Sequence, residues 1–386
     1  MFKNISSVRT RLFDIIIKTN VTRIGPSMSL SFHNWMRLFL AKGITTLKCY
    51  FPRVFLINLL NSFDIPFSFY ENRRYNKLIN TTKLTKPPIF ILGHWRSGTS
   101  HLHNLLCQDP QFGFLNLLQA AFPKSYLTNK FYSSLIEMYL PKTRPMDNMA
   151  FGALTPGEDE MMLGNLFPFS FYNSLYIPCR MEESYDVFIS LKRLPKKHLE
   201  EWKRNYIYIL KKITYCRKGK QLMLKSPANT ARIKLLLELF PDAKFIHIYR
   251  NPYIIFYSTL HFYRKSIQPF MLQKISDKNL ESTIFSIYKE MMNDYFKDKH
   301  LIAKQHLVEV KFEDLEEHPV EQLHRIYSHL DLKGFKHAKP YFTKYLDSIK
   351  TYKKNKYSCD PQVIEKIQKH WKLTIDNWNY KVPQND

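Results

Sequence analysis

Residues 88–106 read PIFILGHWRSGTSHLHNLL and carry the strongest structural signal in the chain. The short apolar run 89–92 follows a pair of prolines and is typical of a buried parallel strand. A loop bounded by Gly93 and Gly98 comes directly after it and leads into the amphipathic run 101–106. A helix N-terminus carries free N–H groups and the positive end of the helix dipole. The order strand, glycine loop, helix therefore predicts an anion-binding turn.

Three further apolar runs predict parallel strands, at 221–224, 244–249 and 306–312. Between the first two lies 231–240, a helical stretch that Pro241 stops. Strands that alternate with helices are typical of α/β proteins with a parallel sheet. We therefore predict the α/β fold class, with a P-loop-like parallel sheet flanked by helices.

The chain is strongly basic, with 58 Lys and Arg against 33 Asp and Glu among 386 residues and a formal net charge of +25. A field of that size attracts anions, whether nucleic acid, acidic lipid headgroups or a polyanionic small substrate. Residues 1–60 hold nine basic residues and a single acid, Asp14, among apolar side chains. We predict a basic helical N-terminal extension over 1–84 that packs on an α/β domain over 85–386. Such a basic amphipathic stretch can also lie on an anionic membrane surface.

The five cysteines are widely spaced and include no C-x-x-C pair, which argues against both a disulfide framework and a zinc site. No run approaches the roughly 20 apolar residues that span a bilayer. These patterns predict a cytoplasmic protein whose membrane association is at most peripheral.

The glycine spacing matches that of nucleoside-triphosphate loops, G-x-x-x-x-G-K-[ST], but Thr99 occupies the lysine position. Arg96 lies inside the turn instead, which favours a nucleotide whose phosphate is an end group. A nucleotide kinase or NTPase is one alternative function, against which Thr99 argues. A nucleic-acid-binding protein is the other, but the chain has no RNP-type motif, zinc pattern or basic-region zipper.

Residues 95–100, WRSGTS, resemble the 5′-phosphosulfate loop of PAPS-dependent sulfotransferases, in the version found in many bacterial members. Arg250, at the end of a predicted strand, and Ser258, eight residues later, resemble the family's 3′-phosphate pair. The resemblance implies that PAPS (3′-phosphoadenosine 5′-phosphosulfate) is bound and adenosine 3′,5′-bisphosphate is released. The residues it assigns to the 5′ end are Arg96, Ser97, Gly98, Thr99 and Ser100.

Three more segments resemble elements of the same family. Residues 224–227, LKSP, are similar to an element whose lysine, here Lys225, points towards the transferring group and the cofactor. Residues 310–315 are similar to an element that is usually structural. Tyr357 and the lysines of 353–356 either close over the adenine and the 3′-phosphate or form a solvated basic loop.

Sulfuryl transfer to a hydroxyl requires no metal, but the site must stabilise the leaving phosphate, a task for Arg96, Lys225 and the loop N–H groups. It must also remove the acceptor proton. Residues 155–160, TPGEDE, resemble the P-x-E-D-E element of bacterial sulfotransferases and offer Glu158, Asp159 and Glu160 as candidate bases. Thr155 and Glu158 are also spaced as a capping box, so that Glu158 is alternatively a helix cap.

His101 and His103 are the other candidate bases, and at most one of them can face the site because they lie two residues apart. The leading hypothesis is a PAPS-dependent sulfotransferase that transfers the sulfuryl group in line to a small hydroxylated acceptor. An aromatic content of 15% and the run FPFSFY at 167–172 favour an apolar acceptor such as a sterol or another lipid.

Overall fold

A five-stranded sheet forms the centre of the protein in the computed structural model, which describes residues 29–42, 51–129, 142–178, 181–358 and 360–383. The strands are β1 Ile89–Leu92, β2 Phe112–Gly113, β3 Gln221–Lys225, β4 Lys244–Tyr249 and β5 Leu307–Lys311. Their spatial order is β2-β3-β1-β4-β5, and every neighbouring pair is parallel. The predicted parallel sheet is therefore confirmed.

Two details of the sheet differ from the sequence prediction. Strand β2 was not predicted, because two residues carry no recognisable period. Strand β5 ends at Lys311 rather than at Phe312, because Phe312 is the first residue of the next helix. The side chain of Phe312 is thereby available to the loops beside the sheet.

Helices precede the sheet and cover both of its faces. Before β1 lie α1 Phe32–Lys42, α2 Phe51–Ser62 and α3 Ile65–Thr81. Between β1 and β3 lie α4 Thr99–Leu106, α5 Leu117–Ala121, α6 Asp159–Gly164, α7 Phe171–Ser174, α8 Tyr185–Phe188 and α9 Lys196–Cys216. After β3 come α10 Ile233–Leu239, α11 Pro252–Phe262, α12 Asp277–Asp298, α13 Phe312–Glu317, α14 Pro319–His329, α15 Phe335–Ser348, α16 Pro361–His370 and α17 Lys372–Asn377. This architecture confirms the predicted α/β class.

The side chains of β1 alternate between two hydrophobic cores, one on each face of the sheet. Phe90 and Leu92 belong to the larger core, and Ile89 and Ile91 belong to the smaller one. All four are fully buried, as expected of a central parallel strand with helices on both faces. The loop that follows β1 is therefore supported by a rigid strand.

The three helices before the sheet pack on the rest of the protein. The ring of Trp35 in α1 is fully buried and makes an edge contact with Tyr176, with 5.0 Å between ring centroids. In α3, the carboxylate of Glu71 pairs with the buried ammonium group of Lys212 in α9. These contacts agree with a helical extension, although the boundary at residue 84 stays a prediction and residues 1–28 lie outside the described part.

Apolar side chains also lie on the outer surface of these helices. In α1, Phe32, Met36 and Leu40 are exposed at four-residue spacing, so they form an exposed apolar stripe along the helix. No described helix is both long and apolar enough to cross a membrane.

Candidate active site

The predicted site residues lie where neighbouring strands of the sheet end. The glycine loop follows β1, Lys225 is the last residue of β3 and Arg250 follows β4. Carboxyl ends of parallel strands meet at one edge of a sheet, and ligands of open α/β sheets bind outside that edge. Strand order places β1 between β3 and β4, so the loop lies between the other two residues.

The glycine loop is shaped by two close backbone approaches. Gly93 has φ +143°, and a Cβ there would lie 2.4 Å from the carbonyl oxygen of Ile248. Gly98 has φ +99°, and a Cβ there would lie 2.2 Å from a ring carbon of Phe312. Only glycine combines these backbone angles with the missing space. The loop is thus a tight cradle held against β4 and α13.

Helix α4 starts directly after this cradle and presents its N-terminus to it. The helix begins at Thr99, and its first backbone bond runs from the N–H of Leu102 to the carbonyl of Gly98, at 3.1 Å. Helix geometry therefore leaves the N–H groups of Thr99, Ser100 and His101 without an intrahelical acceptor. These groups can bind an anion.

Arg96 connects the loop to the residues predicted for the 3′-phosphate. Its backbone is left-handed, with φ +73°, which is uncommon outside glycine. Its Nε donates to Ser258 Oγ at 3.0 Å, and its carbonyl oxygen accepts from Arg250 Nη1 at 3.2 Å. The hydroxyl of Tyr357 lies 3.4 Å from Ser258 Oγ. The structure therefore brings Arg96, Arg250, Ser258 and Tyr357 together.

The local sequence explains why Arg250 and Ser258 lie on one side of the sheet. Asn251 caps α11 by accepting from the N–H of Tyr253 at 2.9 Å, and Pro252 occupies the first helical turn. Ser258 comes two turns further along the same helix.

The lysines near Tyr357 favour the alternative of a solvated loop. Lys353 and Lys356 are exposed, and Lys354 Nζ pairs with Glu316 Oε2 at 2.5 Å. Of this segment, Tyr357 is the residue that contacts Ser258.

Lys225 lies in a second group of polar side chains, at the start of α4. It is 3% exposed and pairs with the carboxylate of Glu158, while its Nζ lies 3.3 Å from Ser100 Oγ. Burial lowers the pKa of Lys225, and the charge of Glu158 opposes that shift. The other carboxylate oxygen of Glu158 accepts from the Tyr172 hydroxyl at 2.7 Å. We call Ser100, Glu158, Tyr172 and Lys225 the Lys225 cluster.

The three adjacent carboxylates have different surroundings. Asp159 is buried and accepts from Tyr206 at 2.7 Å and from Asn229 at 2.9 Å, and burial raises its pKa. Glu160 is buried and pairs with Arg232 at 2.5 Å. Both carboxylates therefore lie in the interior of the protein rather than in solvent. Only Glu158 contacts Lys225.

The capping-box alternative for Glu158 is wrong. Helix α6 begins at Asp159 rather than at Pro156, so Thr155 lies outside it. Glu158 is itself the N-cap residue, and its side chain makes no capping bond because it extends to Lys225 and Tyr172.

The two histidines lie apart from the Lys225 cluster's carboxylate. His103 is buried with Nε2 3.4 Å from the carbonyl oxygen of Met223, and burial together with the charge of Lys225 lowers its pKa to about 3. His101 faces the ring of Phe312, with 6.5 Å between centroids, and burial lowers its pKa to about 4. Both are therefore neutral near pH 7, and neither is bonded to the Glu158 side of the site.

Arg144 and Asp147 also lie at this site and were missed in the sequence analysis. Asp147 is 6% exposed and accepts from Arg96 Nη1 at 2.8 Å and from Arg144 Nη2 at 2.6 Å. Burial alone would raise the pKa of Asp147, but the two arginines outweigh that effect and hold it below its usual value. Arg144 Nη1 also lies 3.3 Å from Ser100 Oγ. These two residues join Arg96 to the Lys225 cluster.

The parallel sheet and the loop after β1 define a P-loop-like α/β protein with a strongly cationic site. A model of the sulfotransferase family matches residues 87–337, more than half of the chain. The chain therefore belongs to the sulfotransferase family and is an enzyme of the transferase class. This confirms the predicted family and enzyme class.

Two bacterial relatives match nearly the whole chain. The chain is 30% identical over 353 residues to the omega-hydroxy-beta-dihydromenaquinone-9 sulfotransferase Stf3 of Mycobacterium bovis and to that of Mycobacterium tuberculosis. Each alignment covers 91% of this chain and 90% of the relative. The chain is thus similar along nearly its whole length to an enzyme named for a lipid-like quinone acceptor.

Solved structures share the fold. Sulfotransferase STF9 from Mycobacterium avium matches with a TM-score of 0.63 at 16% identity, covering 82% of both chains. Sulfotransferase STF1 from M. tuberculosis matches with a TM-score of 0.59 at 18% identity, covering 72% of this chain and 76% of that one. At these identities the likeness concerns the fold alone.

Proposed function

We propose that this protein transfers the sulfuryl group of PAPS to a hydroxyl of a lipid acceptor, with Glu158 as the base. The observation that carries the proposal is the contact of Glu158 and Ser100 with Lys225 at the N-terminus of α4. A proton acceptor, a buried cation and open N–H groups meet at one point there. Sulfuryl transfer requires such a combination.

The residues fit the proposed cofactor. The cradle at Gly93 and Gly98 has no room for a Cβ, and the N–H groups at the start of α4 face it. In the proposal this cradle and Ser100 bind the 5′ end, while Arg250 and Ser258 bind the 3′-phosphate. PAPS supplies the activated sulfuryl group.

Each residue of the Lys225 cluster then has a separate task. Glu158 holds the acceptor hydroxyl and takes its proton as the hydroxyl attacks. Lys225 stabilises the negative charge that develops on the leaving 5′-phosphate. Tyr172 donates to Glu158 and fixes the orientation of its carboxylate.

An aromatic wall adjoins the proposed base. The rings of Trp95 and Phe171 lie 4.0 Å apart between centroids, and the next residue, Tyr172, bonds to Glu158. Apolar rings beside one polar group favour an apolar acceptor with a single reacting hydroxyl. The name of the Mycobacterium relative, which specifies a hydroxylated menaquinone derivative, supports the same acceptor class. We propose a hydroxylated isoprenoid-like lipid, with sterols as the class to compare.

A lipid acceptor also gives the basic N-terminal region a role. We propose that the protein is cytoplasmic and contacts an anionic membrane peripherally through this region. The exposed stripe of α1 supports this proposal, as do the exposed rings Phe63 and Phe69, the latter in α3. The hydrogen bond from Asn61 to the carbonyl of Leu30, at 2.9 Å, holds the end of α2 against the start of α1. Apolar side chains can enter the headgroup region while basic residues bind its phosphates.

A thermal-shift titration tests the cofactor assignment. Adenosine 3′,5′-bisphosphate should stabilise the fold by about 2.7 kcal/mol at a hundredfold excess over its dissociation constant. ATP with Mg²⁺ at equal concentration serves as the control and should shift the melting temperature less. Stabilisation by ATP with Mg²⁺ but not by adenosine 3′,5′-bisphosphate would contradict the proposed function.

A further inference from the structure

Arg144 contacts the proposed transfer point through Ser100. Its Nη1 is 3.3 Å from Ser100 Oγ, and the same oxygen is 3.3 Å from Lys225 Nζ. The Arg96 side chain instead extends to Ser258, the residue predicted for the other end of the cofactor. The two arginines therefore serve different parts of the site.

Asp147 fixes the position of Arg144. Its two oxygens accept from Arg144 Nε at 3.0 Å and from Nη2 at 2.6 Å, which is a bidentate pair. The same carboxylate accepts from Arg96 at 2.8 Å. Bidentate arginine–carboxylate pairs add geometric precision as well as energy. One buried carboxylate thus sets the relative position of two guanidinium groups.

The segment that carries these residues is itself held in place. Residues 142–151 form a short antiparallel turn, in which the N–H of Arg144 donates to the carbonyl of Met149 at 2.9 Å and Thr143 bridges to Ala150. Asn355 donates to the carbonyl of Met146 at 3.0 Å, so the turn also contacts the segment that contains Tyr357.

The negative charge of Asp147 is unfavourable at a site proposed to bind an anionic cofactor. A buried carboxylate repels an anionic substrate, and Asp147 stays ionised because its arginine neighbours hold its pKa low. Its presence weakens substrate attraction, so a benefit must offset that cost. Precise placement of Arg144 beside Ser100 and Lys225 is such a benefit.

We infer that Arg144 is a further catalytic cation for sulfuryl transfer and that Asp147 is the positioning residue that aims it. The inference rests on the proposed function. As the acceptor oxygen forms its bond to sulfur, the bond from sulfur to the 5′-phosphate oxygen breaks and its electron pair stays on the phosphate. The acceptor proton goes to Glu158. Arg144 stabilises the negative charge that accumulates on the leaving phosphate beside Ser100 during this step.

The test compares Arg144→Ala, Arg144→Lys and Asp147→Asn with the parent, measuring turnover of labelled PAPS and binding of adenosine 3′,5′-bisphosphate. Arg144→Ala should lower kcat by on the order of a hundredfold, as the loss of one transition-state donor does. Its affinity for the bisphosphate, which lacks the sulfuryl group, should change less than tenfold. Arg144→Lys should recover part of the rate, because lysine keeps the positive charge but lacks the planar guanidinium group.

The Asp147→Asn variant distinguishes a positioning role of Asp147 from a purely structural one. It removes a negative charge, so bisphosphate affinity should rise or stay equal while kcat falls by roughly tenfold or more. A structural role would instead lower affinity, rate and melting temperature together. Arg193→Ala is the matched control, since Arg193 also pairs with an aspartate, Asp186, but is 79% exposed and outside the site.

Two results would overturn the inference. In the first, the parent binds the bisphosphate, and the Arg144 variants turn over PAPS at rates within threefold of the parent's rate. The other is an Arg144→Lys variant that folds normally yet loses bisphosphate binding as much as rate. Failure of the parent to bind the bisphosphate would instead refute the proposed function on which the inference depends.

Discussion

Replacement of Glu158 by glutamine tests the proposed base most directly. The amide keeps the shape of the side chain and can still accept from the Tyr172 hydroxyl, now 2.7 Å from Glu158, but it cannot take a proton. General bases contribute about 10²- to 10⁴-fold to rate. At about 1.36 kcal/mol per tenfold, the activation barrier should rise by about 2.7 to 5.4 kcal/mol.

Cofactor affinity should respond differently from rate. Glutamine removes a negative charge and releases Lys225, so binding of adenosine 3′,5′-bisphosphate near pH 7 should be equal or tighter. Without the opposing carboxylate, however, the buried Lys225 has a still lower pKa. Anion binding needs its charged form, which is lost as pH rises through that pKa. Affinity should therefore begin to fall at a lower pH in the variant than in the parent.

The neighbouring carboxylates provide matched controls. Glu160 is 1% exposed and its partner Arg232 is fully buried, and breaking such a pair costs about 3 to 5 kcal/mol. Glu160→Gln should therefore lower the melting temperature while the rate per folded molecule stays nearly unchanged. Asp159→Asn keeps an oxygen that can accept from Tyr206 and Asn229, so its rate should also stay nearly unchanged.

The assay is single-turnover transfer from labelled PAPS, with unfolding measured on the same samples. Our reasoning fails if Glu158→Gln turns over within threefold of the parent. The base would then lie elsewhere, and His101→Asn would be the next variant to measure.

Two further outcomes follow from the site and the surface. Ser258→Ala should weaken bisphosphate binding by roughly tenfold and leave kcat little changed, because a ground-state hydrogen bond contributes equally to reactant and transition state. Calorimetry measures the binding and a turnover assay measures kcat. A loss of kcat with unchanged binding would contradict this prediction. Phe63→Ser combined with Phe69→Ser should reduce cosedimentation with phosphatidylglycerol vesicles at least fivefold, and high salt should reduce it further. Tyr341→Ser, at a ring that is 50% exposed on α15, is the control, and equal binding of both variants would refute the proposed membrane contact.

The fold was predictable because its signals are local. The apolar run of β1 lies between a proline pair and a glycine, and its four buried residues pack into the two cores, two on each face of the sheet. Pro252 sets the start of α11 in the same local way. Such patterns need no knowledge of distant residues.

Arg144 and Asp147 were not predictable in this way. Arg144 contacts Ser100, 44 residues away, and Asp147 contacts Arg96, 51 residues away. Both belong to an irregular turn, so no periodicity distinguishes them from surface charges. Their role depends on tertiary contacts alone.

The separation of Glu158 from its neighbours likewise needed the structure. A helix that starts at Asp159 rather than at Pro156 leaves Glu158 with extended backbone, at φ −97° and ψ 132°. That difference directs Glu158 to Lys225, while Asp159 and Glu160 enter the interior. A shift of the helix start by a few residues exchanges these environments, and sequence patterns locate helix ends poorly.

The ring of Phe312 has a consequence for ligand size. One part of the ring lies against Gly98, where even a Cβ would collide with it, and the guanidinium carbon of Arg250 lies 4.3 Å from the ring centroid. One rigid aromatic side chain thus acts as a spacer between the loop after β1 and the residue that follows β4. The ring therefore keeps the two proposed anion-binding ends from moving closer together, which sets a lower limit on the distance between the charged groups of a ligand. The proposed cofactor carries phosphates on both sides of its ribose and so keeps its charges apart in this way, whereas a nucleotide with a single polyphosphate tail concentrates them.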